Sequence, residues 1–78
     1  MRQKERRLIV AFYRTHDAMA FEDFCLSQGI VGRLIPLPRE ISAGCGLAWS
    51  APPGDLEGLK ERLRRAGIRP QHMKEMEI

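Results

Sequence analysis

The chain carries one cysteine in a setting that suits sulfur chemistry. Cys45 lies between Gly44 and Gly46, in a loop that begins with Pro36 and Pro38. Proline stiffens a backbone, whereas glycine lets another backbone or a ligand approach closely. A thiol presented in this way is suited to nucleophilic attack or to holding a sulfur or selenium atom. The alternative is a hairpin loop whose cysteine packs like any small apolar side chain.

Six predicted elements surround this loop. Short apolar, β-branched runs predict strands, and apolar residues at three- and four-residue spacing predict helices. Thr15 or Asp17 would cap the first helix and Asp55 the second, while Gly29 and Gly67 would end them. The predicted strands cover 8–13, 30–35, 46–50 and about 68–76, and the predicted helices run to Gln28 and Ala66.

The two halves of the chain repeat each other. A shift of 38 residues superposes Asp17–Gly29 on Asp55–Gly67 and brings Phe21 onto Leu59. Two strand–helix–strand copies joined by the central loop give the order β-α-β-β-α-β, the signature of the ferredoxin-like split sandwich. This predicts an α+β fold in which right-handed crossovers put both helices on one face of a four-stranded antiparallel sheet, in spatial order 4-1-3-2.

This topology would bring the central loop to the edge where the first strand ends and the first helix begins. Cys45 would then lie beside Arg14, and Arg39 would add a second positive charge. A helix N-terminus and nearby arginines lower the pKa of a thiol, which makes it a better nucleophile. Asp17 opposes this effect with its own negative charge.

Thr15 and His16 would complete this predicted site. His16 could accept a proton from Cys45 or ligate a metal ion, and the alternative is a solvated first-turn histidine. One cysteine and one histidine are too few for a structural zinc site, so we predict no metal and no other cofactor.

The second cysteine, Cys25, falls on the apolar stripe of the first helix with Ala18 and Phe21. It is therefore predicted to be a buried packing residue, although a reactive thiol is the alternative. Two cysteines are too few for a disulfide scaffold, which fits a reducing compartment. No apolar run is long enough for a signal peptide core or a membrane span, so we predict a cytoplasmic protein.

Length, composition and charge predict one small globular domain, residues 8–78, behind a basic N-terminal tail, residues 1–7. The chain has 78 residues and a formal net charge of +3. The tail could attract nucleic acid or an acidic partner, or simply be a solvated end. RNA binding of the RRM type is not favoured, because Trp49 is the only aromatic residue in the predicted third strand.

The sequence resembles a known family in its most specific segment, Pro36-Leu37-Pro38-Arg39 followed by Gly44-Cys45-Gly46-Leu47. Thr15-His16-Asp17-Ala18 and Ala66-Gly67-Ile68 are similar to other recurring positions of that family. The family is the selenium/sulfur carrier protein-like group of small bacterial domains.

The resemblance implies that Cys45 bears the sulfur or selenium atom, and that Thr15, His16 and Arg39 form the pocket around it. It also implies donor and acceptor proteins as partners. Many members carry a second cysteine three residues after the first, a position that is Ala48 here. This departure argues against a dithiol mechanism and leaves a single-cysteine carrier.

Two functions are therefore predicted. The first is a sulfur or selenium carrier, or transferase accessory, that uses Cys45 and is not a self-sufficient enzyme. The alternative is a non-catalytic regulatory module that forms a homodimer. Its surface would be the sheet face that the helices leave open, where Ile9, Ala11 and Tyr13 are expected.

Overall fold

The computed structural model describes residues 5–41, 44, 46–54 and 56–78. The described residues form two helices and four strands in the predicted order, which confirms an α+β fold. The elements are β1 (Arg6–Ala11), α1 (Thr15–Gln28), β2 (Arg33–Pro36), β3 (Leu47–Ala51), α2 (Leu56–Ala66) and β4 (His72–Glu77).

The four strands form one antiparallel sheet in the order β2-β3-β1-β4, which is the predicted order read from the other edge. β1 lies inside the sheet, with β3 on one side and β4 on the other. This position explains why β1 is apolar on both faces, since alternate side chains of an inner strand enter two different packing layers.

The larger core contains the buried residues of both helices. Phe21 of α1 lies at its centre, with ring centroids 5.3 Å from Phe12 and 5.5 Å from Trp49, the latter edge to face. Such aromatic pairs stabilise a core beyond the area they bury. The buried members of this cluster are Leu8, Val10, Phe12, Ala18, Phe21, Cys25, Trp49, Ala51, Leu59 and Leu63.

The second face of the sheet is not open as predicted. Ile9 and Ala11 are 0% exposed and pack with Ile41 and Ala48. The loop after β2 folds back over this face, and the Ile41 N–H donates to the carbonyl of Pro38 at 3.0 Å. The expected apolar homodimer surface is therefore wrong for Ile9 and Ala11, because a segment of the same chain covers them.

Both helices end in the same way, as the 38-residue repeat predicts. Gly29 and Gly67 follow the two helices with positive φ angles of 68° and 76°. The Ile30 N–H donates to the carbonyl of Cys25 at 2.9 Å, and the Ile68 N–H to that of Leu63 at 3.0 Å. These bonds satisfy carbonyls that a helix end otherwise leaves unpaired.

The predicted N-terminal caps fare differently. Arg14, not Thr15 or Asp17, is the N-cap residue of α1, and no side chain of the described residues makes a capping hydrogen bond there. Because the helix begins at Thr15, both Thr15 and Asp17 lie inside it, and the extended residue before it is Arg14. The predicted cap of α2, Asp55, lies outside the described residues.

Several strand boundaries also move. β1 covers Arg6–Ala11 rather than 8–13, because Arg6 and Arg7 already pair with β4. β2 begins at Arg33 rather than residue 30. The residue before it, Gly32, has its backbone against Trp49, where an added Cβ would be 2.6 Å from the indole Cε2. β4 begins at His72 rather than near residue 68, beyond Pro70, which has no N–H to offer a ladder. Among the described residues, no helix has the length and hydropathy of a membrane span.

Candidate functional site

The loop glycine before Cys45 lies where β1 leads into α1. Gly44 is so close to the backbone of Tyr13 that a Cβ on it would overlap the Tyr13 carbonyl oxygen. Only glycine fits such an approach without a shift of the backbone. Cys45 itself lies outside the described residues, as do Ser42 and Ala43, so its own placement stays a prediction.

A residue that the sequence reasoning missed anchors this glycine. The Gly44 N–H donates to the side-chain oxygen of Gln71 at 3.1 Å. The Gln71 backbone N–H in turn donates to the carbonyl of Ala11 at 2.7 Å. The loop, the end of β1 and the start of β4 are thus joined at one edge. The predicted antiparallel pairing of the first and last strands could have placed Gln71 near the end of β1, although it could not have shown the bond to Gly44.

The glycine after Cys45 closes the loop on its other side. Gly46 has a φ of 75°, which is the left-handed region that favours glycine. Its carbonyl accepts a hydrogen bond from the Leu37 N–H at 3.0 Å. Both neighbours of Cys45 are therefore held by hydrogen bonds: Gly44 by the side chain of Gln71, just before β4, and Gly46 by the backbone of Leu37 at the start of the loop.

The predicted charged and polar site residues lie at the surface. Arg14, Thr15 and His16 are exposed at the start of α1, and Arg39 is exposed in the turn after Pro38. The Arg14 carbonyl accepts the N–H groups of Asp17 at 3.1 Å and Ala18 at 3.2 Å, which closes the first helical turn. The structure brings Gly44 to the residue before Arg14, but within the described ranges no hydrogen bond or ion pair joins Arg14, Thr15, His16 or Arg39 to one another.

The other cysteine is buried, as predicted. Cys25 is 0% exposed on the inner side of α1, and burial raises the pKa of its thiol to about 11. At pH 7, about one Cys25 in ten thousand would then be a thiolate. Because the thiolate is the nucleophile, Cys25 is unsuited to carry sulfur.

No cation site was found in the part of the chain that the structure describes: no three His, Cys, Asp or Glu side chains there are grouped to hold a metal ion. The described part of the site consists of two glycines near the start of α1. Gly44 contacts Tyr13 and Gln71, and Gly46 is bonded to Leu37.

The fold and this edge define a small α+β domain in which Gly44, from the loop between β2 and β3, lies against Tyr13 just before α1. The chain belongs to the family described as Putative Se/S carrier protein-like, whose model matches residues 7–75. The match covers most of the chain and confirms the resemblance seen in the sequence. Neither the curated proteins nor the solved structures gave a match.

Proposed function

We propose that this protein is a single-cysteine sulfur or selenium carrier in which Cys45 holds the chalcogen. Membership of the carrier-like family favours this function over a regulatory module. Two of the three residues of that module's expected dimer surface, Ile9 and Ala11, are covered by the chain itself. The proposal includes a ferredoxin-like arrangement of the two helices and a cytoplasmic location, where thiols stay reduced.

The observation that carries the proposal is the burial of Cys25. The chain has two cysteines, and the one in α1 is fully buried with a pKa near 11. A carrier thiol has to meet a donor and an acceptor, and it has to ionise near neutral pH. Cys45 is the cysteine left for this role.

The proposed step is a transfer of sulfane sulfur from a persulfide donor, R–S–SH. The Cys45 thiolate attacks the terminal sulfur of the donor, forms a new S–S bond and releases the donor as the thiolate R–S⁻. The product on the protein is the persulfide Cys45–S–SH, and no external oxidant or reductant is required. With a donor of the form R–S–SeH, the same exchange releases R–S⁻ and leaves an S–SeH group on Cys45.

The start of α1 supports an ionised thiol in this proposal. Gly44 contacts Tyr13, one residue before the N-cap Arg14. Among the described residues no side chain caps this helix, so the N–H groups of Thr15 and His16 and the positive end of the helix dipole would be available to an anion. Arg14, Thr15, His16 and Arg39 would form the surroundings of the sulfur atom.

The proposed partners are a donor protein and an acceptor protein. Ala48 stands where a resolving cysteine would be three residues after Cys45. With no local thiol to displace it, a persulfide on Cys45 would persist until an acceptor thiolate attacks it. This makes the protein an accessory to transfer rather than an enzyme that completes a reaction alone.

The pH dependence of alkylation tests the proposal. We would measure the rate of iodoacetamide addition to Cys45 in a Cys25→Ser variant from pH 5 to 10. The expected midpoint lies below about 8.5, the usual thiol value. A midpoint at or above that value would contradict an activated carrier thiol. An Arg14→Gln variant should raise the midpoint, because it removes one nearby positive charge.

A further inference from the structure

A cleft that shares no residue with the contacts of Gly44 lies between α2 and the start of β4. Its volume is about 470 Å³, which is within the usual range for small-molecule sites. Its floor is apolar: Leu63 is 1% exposed, while Ile68, Pro70 and Met73 are partly buried around it. The apolar part of a ligand bound in this cleft would be shielded from water on the side that faces the floor.

The rim of the cleft is positively charged. Lys60, Arg64 and Arg69 line it, and no acidic side chain is among the described residues that do so. These three cations come from α2 and from the segment that follows it, so they converge on one opening.

The carboxylates of α2 only partly neutralise this rim. Arg64 and Arg65 share the single carboxylate of Glu61, at 2.6 Å and 3.3 Å, while Lys60 contacts Glu57 at 3.9 Å. No ion pair joins Arg69 to any residue within the described ranges. The rim therefore keeps an excess of positive charge that a ligand can use.

The C-terminal end of α2 repels an anion less than a helix end with unpaired carbonyls would. The last carbonyls of a helix carry partial negative charge. Two of them are already hydrogen-bonded, since the Leu63 carbonyl accepts the Ile68 N–H at 3.0 Å and the Arg64 carbonyl accepts the Gly67 N–H at 3.2 Å. The full charges of the rim dominate at this opening.

We propose that this cleft binds a small amphipathic anion, a molecule with an apolar body and one carboxylate, phosphate or sulfonate group. The body would lie on the floor formed by Leu63, Ile68 and Met73, and the anionic group would face Lys60 and Arg69. An inorganic anion would leave the apolar floor in water, and a neutral apolar molecule would leave the cations without a partner. This inference does not depend on Cys45 or on the proposed carrier function.

Titration with octanoate, followed by amide proton–nitrogen NMR, tests the proposal. We expect saturable shifts concentrated at Gly67, Ile68, Arg69 and Met73. Octanol has the same apolar chain without the charge and should bind at least several-fold more weakly. The absence of saturable shifts, or equal binding of octanol and octanoate, would overturn the proposal.

A pair of variants separates the rim from the general charge of the helix. Replacing Lys60 and Arg69 together by glutamine should weaken octanoate binding by roughly three- to tenfold, the range expected for two exposed ionic contacts. Arg62→Gln removes an exposed charge of the same helix outside the cleft and should leave the affinity unchanged. If Arg62→Gln weakens binding as much as the double variant, the rim has no specific role and the inference fails.

Discussion

Cys25 is fully buried, and this burial argues against chemistry at that cysteine. The helical spacing of Cys25 with Phe21 was enough to predict its burial, because residues four apart lie on the same helix face. The setting of Cys45 could be read only from its flanking glycines. The structure adds the positions of those glycines, which lie against Tyr13 and Leu37.

The raised pKa of Cys25 predicts a loss of stability at high pH. The thiol has a folded pKa of about 11 against a reference value of 9.0, so the folded state holds this proton more tightly than the unfolded state. Stability from this group is complete below about pH 9 and is lost as the pH rises towards 11, with a slope approaching about 1.4 kcal/mol per pH unit.

Urea unfolding between pH 7.5 and 10.5 measures this effect. A Cys25→Ala variant should be less stable at neutral pH because of the cavity it creates, but its free energy of unfolding should fall less steeply above pH 9. Other groups titrate in both proteins and cancel in the comparison. Parallel curves for the two proteins would contradict a buried, neutral Cys25.

The contact of Gly44 with Tyr13 gives a second prediction at the same scale. Gly44→Ala should lower the free energy of unfolding by roughly 1–3 kcal/mol, because the added methyl group overlaps the Tyr13 carbonyl. Gly54→Ala is the matched control, since a Cβ there meets nothing within 4 Å and should change stability by less than about 0.5 kcal/mol. Equal urea midpoints for the two variants would show that the loop is not held against β1.

At the scale of elements, the internal repeat was the most informative sequence feature. It predicted both helix ends, because Gly29 and Gly67 occupy equivalent left-handed positions and the following isoleucines make equivalent hydrogen bonds. The start of α1 was not predictable in the same way. Thr15 and Asp17 are common cap residues, but the extended residue before the helix is Arg14, whose side chain makes no cap bond.

Alanine substitution tests the equivalence of the two helix ends. Gly29→Ala and Gly67→Ala should each destabilise the protein by about 1 kcal/mol, since both require a positive φ and neither glycine is crowded. The two effects should add in the double variant, because the sites share no hydrogen bond. A destabilisation at one glycine only, measured by urea unfolding, would contradict equivalent ends.

At the scale of the whole molecule, the strand order followed from the repeat and the handedness of crossovers, but the covering of the second sheet face did not. The alternation in β1 showed that Ile9 and Ala11 share a face. It could not show what covers that face, because Ile41 reaches it only when the loop after β2 folds back. Likewise, Gln71 gave no local sign that it would bind Gly44. Contacts between segments far apart in the chain depend on packing that no single segment encodes.

The two proposed functional surfaces of the molecule are built from different segments of the chain. The edge that holds Gly44 is built from the loop after β2, the end of β1 and Gln71, whereas the basic cleft is built from α2 and the segment that leads into β4. A change in one of these surfaces can therefore be made and measured without altering the residues of the other.

Intact-mass spectrometry after incubation with a persulfide donor tests the central claim most directly. The wild-type protein and a Cys25→Ser variant should each gain the mass of one sulfur atom, and a reductant should remove it. A Cys45→Ser variant should gain nothing. Sulfur uptake by the Cys45→Ser variant, or no uptake by the wild type, would contradict the assignment of Cys45 as the carrier thiol.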